Sequence, residues 1–296
     1  MRSVLMWFKI LVRAALDLPY GVADALFLGC DKRRVLRTRN ILRVPHLRNR
    51  RGGKRAYGEW CHVTGIFQTL LHTHLPRPTD NCILDAGCGT GLLALAAEPW
   101  LGERGRYVGI DVSVRDLAFC RRQFRAPQFE FLHLPIYNEQ YAAEQARERV
   151  RWPVADATFD MVTALSVWTH LNEDDAVFYF KEIERVLKPG GAALITFFVL
   201  DDAYERSLPL RTDRRARYHT TDKRWWVFDK PCSSSGAWRC PTWAACPEVA
   251  VGVTPSGLEL LTAGTTLQVE RVYPGNWKEQ PGVYFQDVVL LRKHTA

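Results

Sequence analysis

Apolar positions along the 296-residue chain recur in two rhythms, and their order predicts the elements. Residues 2–17 follow a helical period. Arg2, Lys9, Arg13 and Asp17 make a polar stripe, while Val4, Leu5, Trp7, Phe8, Leu11, Val12 and Leu16 cover the rest. A second helix is predicted from Tyr57 to Leu75, with Trp60, Val63, Ile66, Phe67, Leu70 and Leu71 recurring before Pro76 and Pro78. Short apolar runs at 82–86, 106–111, 128–133, 158–162 and 192–200 then alternate with helical patterns at 91–100, 114–124 and after Asn172. Ser113 and Asn172 suit N-caps, and Ala176, Phe180, Ile183 and Leu187 mark one buried stripe that Pro189-Gly190-Gly191 should stop. The last run is almost wholly apolar, as a strand covered on both faces should be. A helix at 256–263 and strands at 267–273 and 283–292 close the chain. Strand-helix alternation predicts an α/β fold. Residues 201–255 break the pattern with Trp225, Trp226, Trp238 and Trp243 and a Ser233-Ser234-Ser235-Gly236 turn.

The first strand leads into Asp85-Ala86-Gly87-Cys88-Gly89-Thr90-Gly91. Glycine at alternate positions lets backbone approach a ligand closely, and the helix that follows offers free N–H groups. The spacing differs from the G-x-G-x-x-G of dinucleotide folds. The acid two positions ahead would repel a diphosphate and suits an ammonium group. Arg106 to Asp111 ends in a second carboxylate, 20 residues beyond Gly91, where a ribose could be held by both hydroxyls. With Thr158-Phe159-Asp160-Met161-Val162 and Leu187-Lys188-Pro189-Gly190-Gly191 in order, the chain resembles a class I S-adenosylmethionine (SAM) methyltransferase, clearly from about Ile83 to Leu200.

The resemblance implies a Rossmann-like seven-stranded sheet with helices on both faces. It implies SAM as cofactor, and no metal-site residues are read from the sequence. Asp85 would hold the methionine ammonium, Gly87, Cys88, Gly89 and Gly91 would wrap the cofactor, and Asp111 would take the ribose. Family members often place an acid or amide after strand three to meet the adenine. Here Pro135 stands in that position, within Phe131 to Asn138. The adenine would then depend on the Ile136 N–H, with Val112 against its face. His170, in the loop after strand four, is the candidate general base. His219 and Asp222 are further acceptor contacts, and Trp225-Trp226 could stack on an acceptor. The family commonly inserts substrate-recognition elements after strand five, and 201–255 is read as one. The expected layout is a leader at 1–56 and a methyltransferase domain at 57–296.

Charge and cysteine content refine this picture. Net charge is +8, yet residues 1–56 hold 14 Lys/Arg against three Asp/Glu, so the remainder is mildly acidic. The clusters are Lys32-Arg33-Arg34 and Arg48 to Arg55. The leader is too interrupted to span a bilayer and lacks a secretory cleavage pattern. It is read either as a peripheral contact with an anionic membrane or as a helix packed on the body. No recognised module accompanies the basic run, which argues against nucleic acid. Eight cysteines without a C-x-x-C pair fit reduced thiols in the cytoplasm, and the spacing of Cys232, Cys240 and Cys246 matches no common zinc site. The expected activity is methyl transfer to a small-molecule or glycan/lipid-linked acceptor, on oxygen. The rival readings are a non-catalytic SAM-binding scaffold and a nicotinamide oxidoreductase.

Overall fold

The computed structural model describes residues 2–28, 43–52, 54–136 and 149–294. Cys30, Lys32-Arg33-Arg34, Gly53, Tyr137 and Asn138 lie outside them, as do the side chains of the leader stripe before Leu11.

Five strands run parallel: β1 (Cys82–Ala86), β2 (Arg106–Asp111), β3 (Phe129–His133), β4 (Phe159–Ala164) and β5 (Leu187–Phe197). Two more, β9 (Leu267–Tyr273) and β10 (Asp287–Lys293), complete a seven-stranded sheet ordered β3-β2-β1-β4-β5-β10-β9. Strand β10 is antiparallel to both of its neighbours. The sheet reverses order between β1 and β4, which opens a crevice at the carboxyl ends of those strands.

Side chains alternate across the sheet. Leu84, Val108, Val162, Ile195 and Val289 pack with α5 (Glu173–Val186) and α7 (Pro255–Thr262). Ile83, Tyr107, Met161, Leu194 and Val288 face α2 (Tyr57–His74), α3 (Leu92–Ala97) and α4 (Val114–Gln123). Ser113 and Asn172 cap α4 and α5 as expected, accepting from the backbone N–H groups of Asp116 and Asp175.

Three boundaries differ from the sequence reading. Helix α3 stops at Ala97 and tightens into a 3-10 turn over Glu98–Trp100, because Pro99 carries no N–H for the α-helical ladder. Helix α5 ends before Pro189: Leu187 is already extended and pairs with Phe159, so residues 188–191 form an irregularity inside β5 instead of a helix stop. Strand β10 begins at Asp287 and not at 283, because Tyr284 turns back to bridge Gly275.

The leader forms α1 (Arg2–Ala23), longer than predicted, and ends in a π-helical turn over Asp24–Leu28. Asp24 binds Arg50 through both oxygens at 2.9 Å, and Asp17 meets Arg55 at 2.9 Å. Arg43 pairs with Glu98, and Arg51 with Asp116. Arg50 and Arg55 thus pair with acids of the leader's own helical segment, while Arg43 and Arg51 pair with acids of the body and fasten the leader to it. Among the described residues, no helix is long and apolar enough to cross a membrane.

After β5 the chain runs through α6 (Asp202–Ser207) and three short strands, β6 (Lys230–Pro231), β7 (Trp238–Cys240) and β8 (Gly252–Val253). A third apolar cluster of Phe198, Leu200, Tyr204, Phe228, Ala250 and Trp277 supports this excursion. It returns beside its own origin: Leu200 N–H donates to the Val253 carbonyl and Val253 N–H to the Phe198 carbonyl, each at 2.8 Å.

Candidate active site

One cavity of about 890 Å3 runs from the glycine loop to the aromatic residues of the excursion. The loop is built by the turn itself. Gly87 and Cys88 N–H groups both donate to the Ile110 carbonyl, at 2.8 and 3.0 Å, which pins the loop to the tip of β2. Gly87 has φ +72°, and a Cβ there would fall 2.4 Å from Val167 Cγ2. Gly91 has φ +83°, and a Cβ there would meet the Phe124 ring at 2.5 Å. Both positions therefore exclude any side chain.

Asp111 closes the loop from β2. Its Oδ2 accepts from Gly89 N–H at 2.7 Å and its Oδ1 from Ser113 N–H at 2.8 Å. Burial raises its pKa against the pull of those N–H groups. Asp85 is 1% exposed at the tip of β1. The Tyr107 hydroxyl donates to its Oδ2 and the Thr163 hydroxyl to its Oδ1, the latter at 3.0 Å. Thr163 is its register partner on β4, and Tyr107 stands on β2. Burial pushes this carboxyl up to about 7, with the two hydroxyls opposing and Asp111 adding to the rise. Near neutral pH it is therefore poised between its forms and would gain charge beside a cation.

The residues at this end fit SAM, the cofactor the resemblance implies. The Thr90 hydroxyl is buried, has no partner and borders the cavity. Asp85 and Asp111 supply acceptors, and Gly87 and Gly89 border the same end with bare backbone. Cys88 and Val112 border the same end. The adenine expectation is corrected in one respect. Ile136 lines the cavity, but its N–H already donates to the Leu134 carbonyl at 2.9 Å, in a tight turn next to Pro135. That N–H is engaged within the turn, and among the described residues Ile136 and Val112 present apolar surface to the cavity.

Arg51 roofs the cofactor end. Its guanidinium spans both oxygens of Asp116, with Nε 2.8 Å from Oδ2. It is also the side chain nearest to Gly89. The sequence reading treated Arg51 only as part of a basic run.

The other end is walled by Phe198, Tyr218, Trp225, Trp226, Trp243 and Phe285. His170 borders it from a 3-10 turn over Trp168–His170, with Nδ1 2.9 Å from the Glu248 carbonyl. Burial lowers its pKa, so the ring is neutral at pH 7. Trp226 stacks on Phe198 with centroids 5.0 Å apart, and its indole N–H donates to the Thr221 hydroxyl at 2.8 Å. Trp225 is half exposed, and its carbonyl accepts from the Trp243 indole. His219 lines the cavity and lies 2.9 Å from Glu279. Asp222 is a correction: it caps the turn over Lys223–Trp226, pairs with Arg224 and stands outside the cavity lining. Its flanking arginines draw it outward.

Sequence reasoning missed Tyr107, Thr163, Thr221, Gln286 and Glu279. The Ser166 hydroxyl donates to Gln286 Oε1 at 2.8 Å across 120 residues. Thr163 was findable, because the strand-four tip faces strand one; the others have no local signal.

Residues 83–191 match the model of a family described as a methyltransferase domain. A demethylmenaquinone methyltransferase of Symbiobacterium thermophilum is 35% identical over 123 residues, which is 41% of this chain and 43% of that protein. Another of that name from Bacillus cereus (strain ATCC 10987 / NRS 248) is 32% identical over 111 residues, 38% of this chain and 42% of that one. The chain thus spans under half the length of these curated relatives. Among solved structures, the PH0226 protein of Pyrococcus horikoshii OT3 aligns with a TM-score of 0.50 and 18% identity, over 80% of this chain and 92% of that one, a likeness of fold.

Proposed function

We propose, from the premise that residues 83–191 form a class I SAM-dependent methyltransferase domain with SAM as its cofactor, that the whole chain methylates a neutral, ring-bearing small molecule on oxygen. The observation that carries this reading is the single cavity joining the two strand-tip acids to an aromatic wall. SAM supplies a methyl group on a good, neutral leaving group, so the protein chiefly has to position the acceptor. In this reading Asp85 meets the ammonium and Asp111 the ribose. Gly87, Cys88, Gly89 and Gly91 shape the methionine side, and Val112 and Ile136 pack on the adenine. His170 contacts the acceptor with a neutral ring, its Nδ1 side turned to the Glu248 carbonyl.

Among the described lining residues, the only Lys or Arg side chains are Arg51 and Lys54. Arg51 is held by Asp116 at the cofactor end, and Lys54 lies 6.0 Å from the Tyr284 ring. Among the described residues a phosphorylated acceptor would find no cation at the aromatic wall, which favours a neutral ring. The name of the curated relatives points to a quinone-type ring, and such a ring suits stacking. In this layout residues 1–56 are the leader, 57–296 the methyltransferase domain and 201–255 its acceptor-recognition insertion.

A lipophilic acceptor is favoured by α1. Leu11, Leu18, Val22 and Leu26, at intervals of seven, four and four, are each at least half exposed. This stripe, in a leader of net positive charge, suits the anionic face of a membrane on the cytoplasmic side. The seven described cysteines are free, which fits that compartment.

Calorimetry with SAM, followed by labelled-methyl transfer to neutral phenols and naphthols, tests the activity. SAM binding with transfer to none of them would favour the scaffold reading, which the occupied Ile136 N–H keeps open. Co-sedimentation with phosphatidylglycerol vesicles tests the membrane contact. Leu11→Glu with Leu18→Glu should abolish it, and unchanged binding by that variant would remove the membrane reading.

A further inference from the structure

We propose that Thr221, His219 and Glu279 form a proton relay that receives the acceptor's hydroxyl proton. The proposal rests on the preceding reading that the acceptor is a hydroxyl.

The ring of His219 is fixed on three sides. Its Nε2 stands 2.9 Å from Glu279 Oε1, at ion-pair distance but outside hydrogen-bond geometry, and the two side chains are each 4% exposed. A carboxylate at that distance favours the proton on Nε2 by its charge. In the neutral ring, Nδ1 is then the acceptor. It lies 3.0 Å from Thr221 Oγ1, whose hydroxyl proton therefore points to it. The Trp226 indole N–H occupies one acceptor lobe of the same hydroxyl. A hydroxyl has two such lobes, so one remains, and Thr221 borders the cavity. The ring's flank rests on Phe285, with centroids 5.3 Å apart. Phe285 precedes Gln286, which holds Ser166, and Val167 beyond it abuts Gly87. The relay is thereby linked through a short series of contacts to the glycine loop.

The proton inventory closes. As the methyl–oxygen bond forms and the methyl–sulfur bond breaks, the acceptor O–H proton passes to Thr221 Oγ1. Thr221 releases its own proton to His219 Nδ1. The resulting imidazolium stands beside the Glu279 carboxylate, and solvent later removes the proton. His170 and His219, two of the three histidines that line the cavity, differ on this point. The pKa of His170 is set by burial and the carbonyls of Glu248 and Val249, which are dipoles. His219 has a carboxylate, the stronger partner for a new cation. Burial lowers the His219 pKa and the Arg211 guanidinium adds to that, while Glu279 and the Thr221 carbonyl oppose it, so the ring starts neutral at pH 7. Thr221 and His219 are the catalytic pair, and Glu279 is a positioning residue.

The test uses the full chain, labelled SAM and 1-naphthol as the neutral hydroxyl probe. His219→Asn and Thr221→Val should each lower kcat by about 10²–10³-fold, with SAM affinity unchanged. Thr221→Ser should keep most of the turnover. Glu279→Gln should lower kcat by about tenfold and shift the acid limb of its pH profile to lower pH, because the imidazolium loses its counter-charge. Turnover of His219→Asn or Thr221→Val within threefold of the parent chain would overturn the relay. Nitrogen-15 NMR of the imidazoles, without acceptor, is the second readout. The Nε2–H tautomer at His219 supports the relay, and the Nδ1–H tautomer rejects it. A parent chain that binds SAM but leaves 1-naphthol unmethylated counts against the acceptor reading, and the tautomer then judges the relay by itself.

Discussion

Asp111 and His219 border one cavity but are held by different kinds of structure. Asp111 sits at a strand tip, and its partners are backbone N–H groups two and 22 residues away. The glycine loop beside it is shaped by backbone bonds and by space that no side chain can enter. His219 is held by side chains, and one of them, Glu279, lies 60 positions away. Beneath it, Lys278 is fully buried and pairs with Asp201 at 2.7 Å and Asp287 at 2.9 Å. Asp287 also accepts from Val199 N–H, Gly275 N–H and the Trp277 indole. The cofactor end is thus made by local backbone geometry, and the acceptor end by a buried charged network tying distant segments together. A fault at the first should be felt in cofactor affinity, and a fault at the second in stability.

The sharpest break of that contrast is Lys278→Met. It leaves the fully buried Asp287 carboxylate without its cation, with the partly exposed Asp201 unpaired beside it, and should cost about 3–5 kcal/mol of stability in urea denaturation. SAM affinity of the folded fraction should stay within about twofold. A larger loss of SAM affinity would mean that the two ends are one mechanical unit.

Next in size is Gly87→Ala. Its Cβ would overlap Val167 Cγ2 in a backbone conformation that alanine resists, which should cost about 1–3 kcal/mol. SAM affinity should fall at least tenfold by calorimetry. Adding Val167→Ala should recover part of the affinity by clearing the overlap, while the backbone strain remains.

The mildest effect concerns pH. Asp85 titrates at about 7 in the fold and near 3.8 when unfolded. Its contribution to the stability of the ligand-free protein is therefore full below about 3.8 and lost as pH rises to about 7. A cationic ligand reverses the preference, since it binds the ionised form. SAM affinity should rise severalfold between pH 6 and 8, and Asp85→Asn should flatten that rise. A rise of equal size in the asparagine variant would assign the titration to another group.

The same contrast explains what could be read from residues alone. Strand tips, caps and the glycine loop are signalled within a few positions, so β1 to β4, Ser113, Asn172, Asp85 and Asp111 were legible. Pro99 and Pro189 shifted boundaries because each acts on one particular hydrogen bond that periodicity does not register. The leader misled in another way. Counting charge identified Arg50 and Arg51 as surplus, whereas each meets an acid more than 20 residues off. Thr221 with Glu279, and Ser166 with Gln286, become neighbours only after the chain has folded, and no local pattern announces them. Asp222 was legible as polar and close to His219 in sequence, but the turn it caps directs it outward.

The excursion after β5 leaves and rejoins the sheet at points one hydrogen bond apart, Leu200 and Val253. A segment with adjacent ends can be exchanged for one of another length without re-registering the strands on either side. It carries Thr221, His219 and the tryptophans, while the glycine loop stays with the sheet. Under the proposed reading, one contiguous module can therefore be replaced to change the acceptor while the glycine loop and its two acids stay as they are.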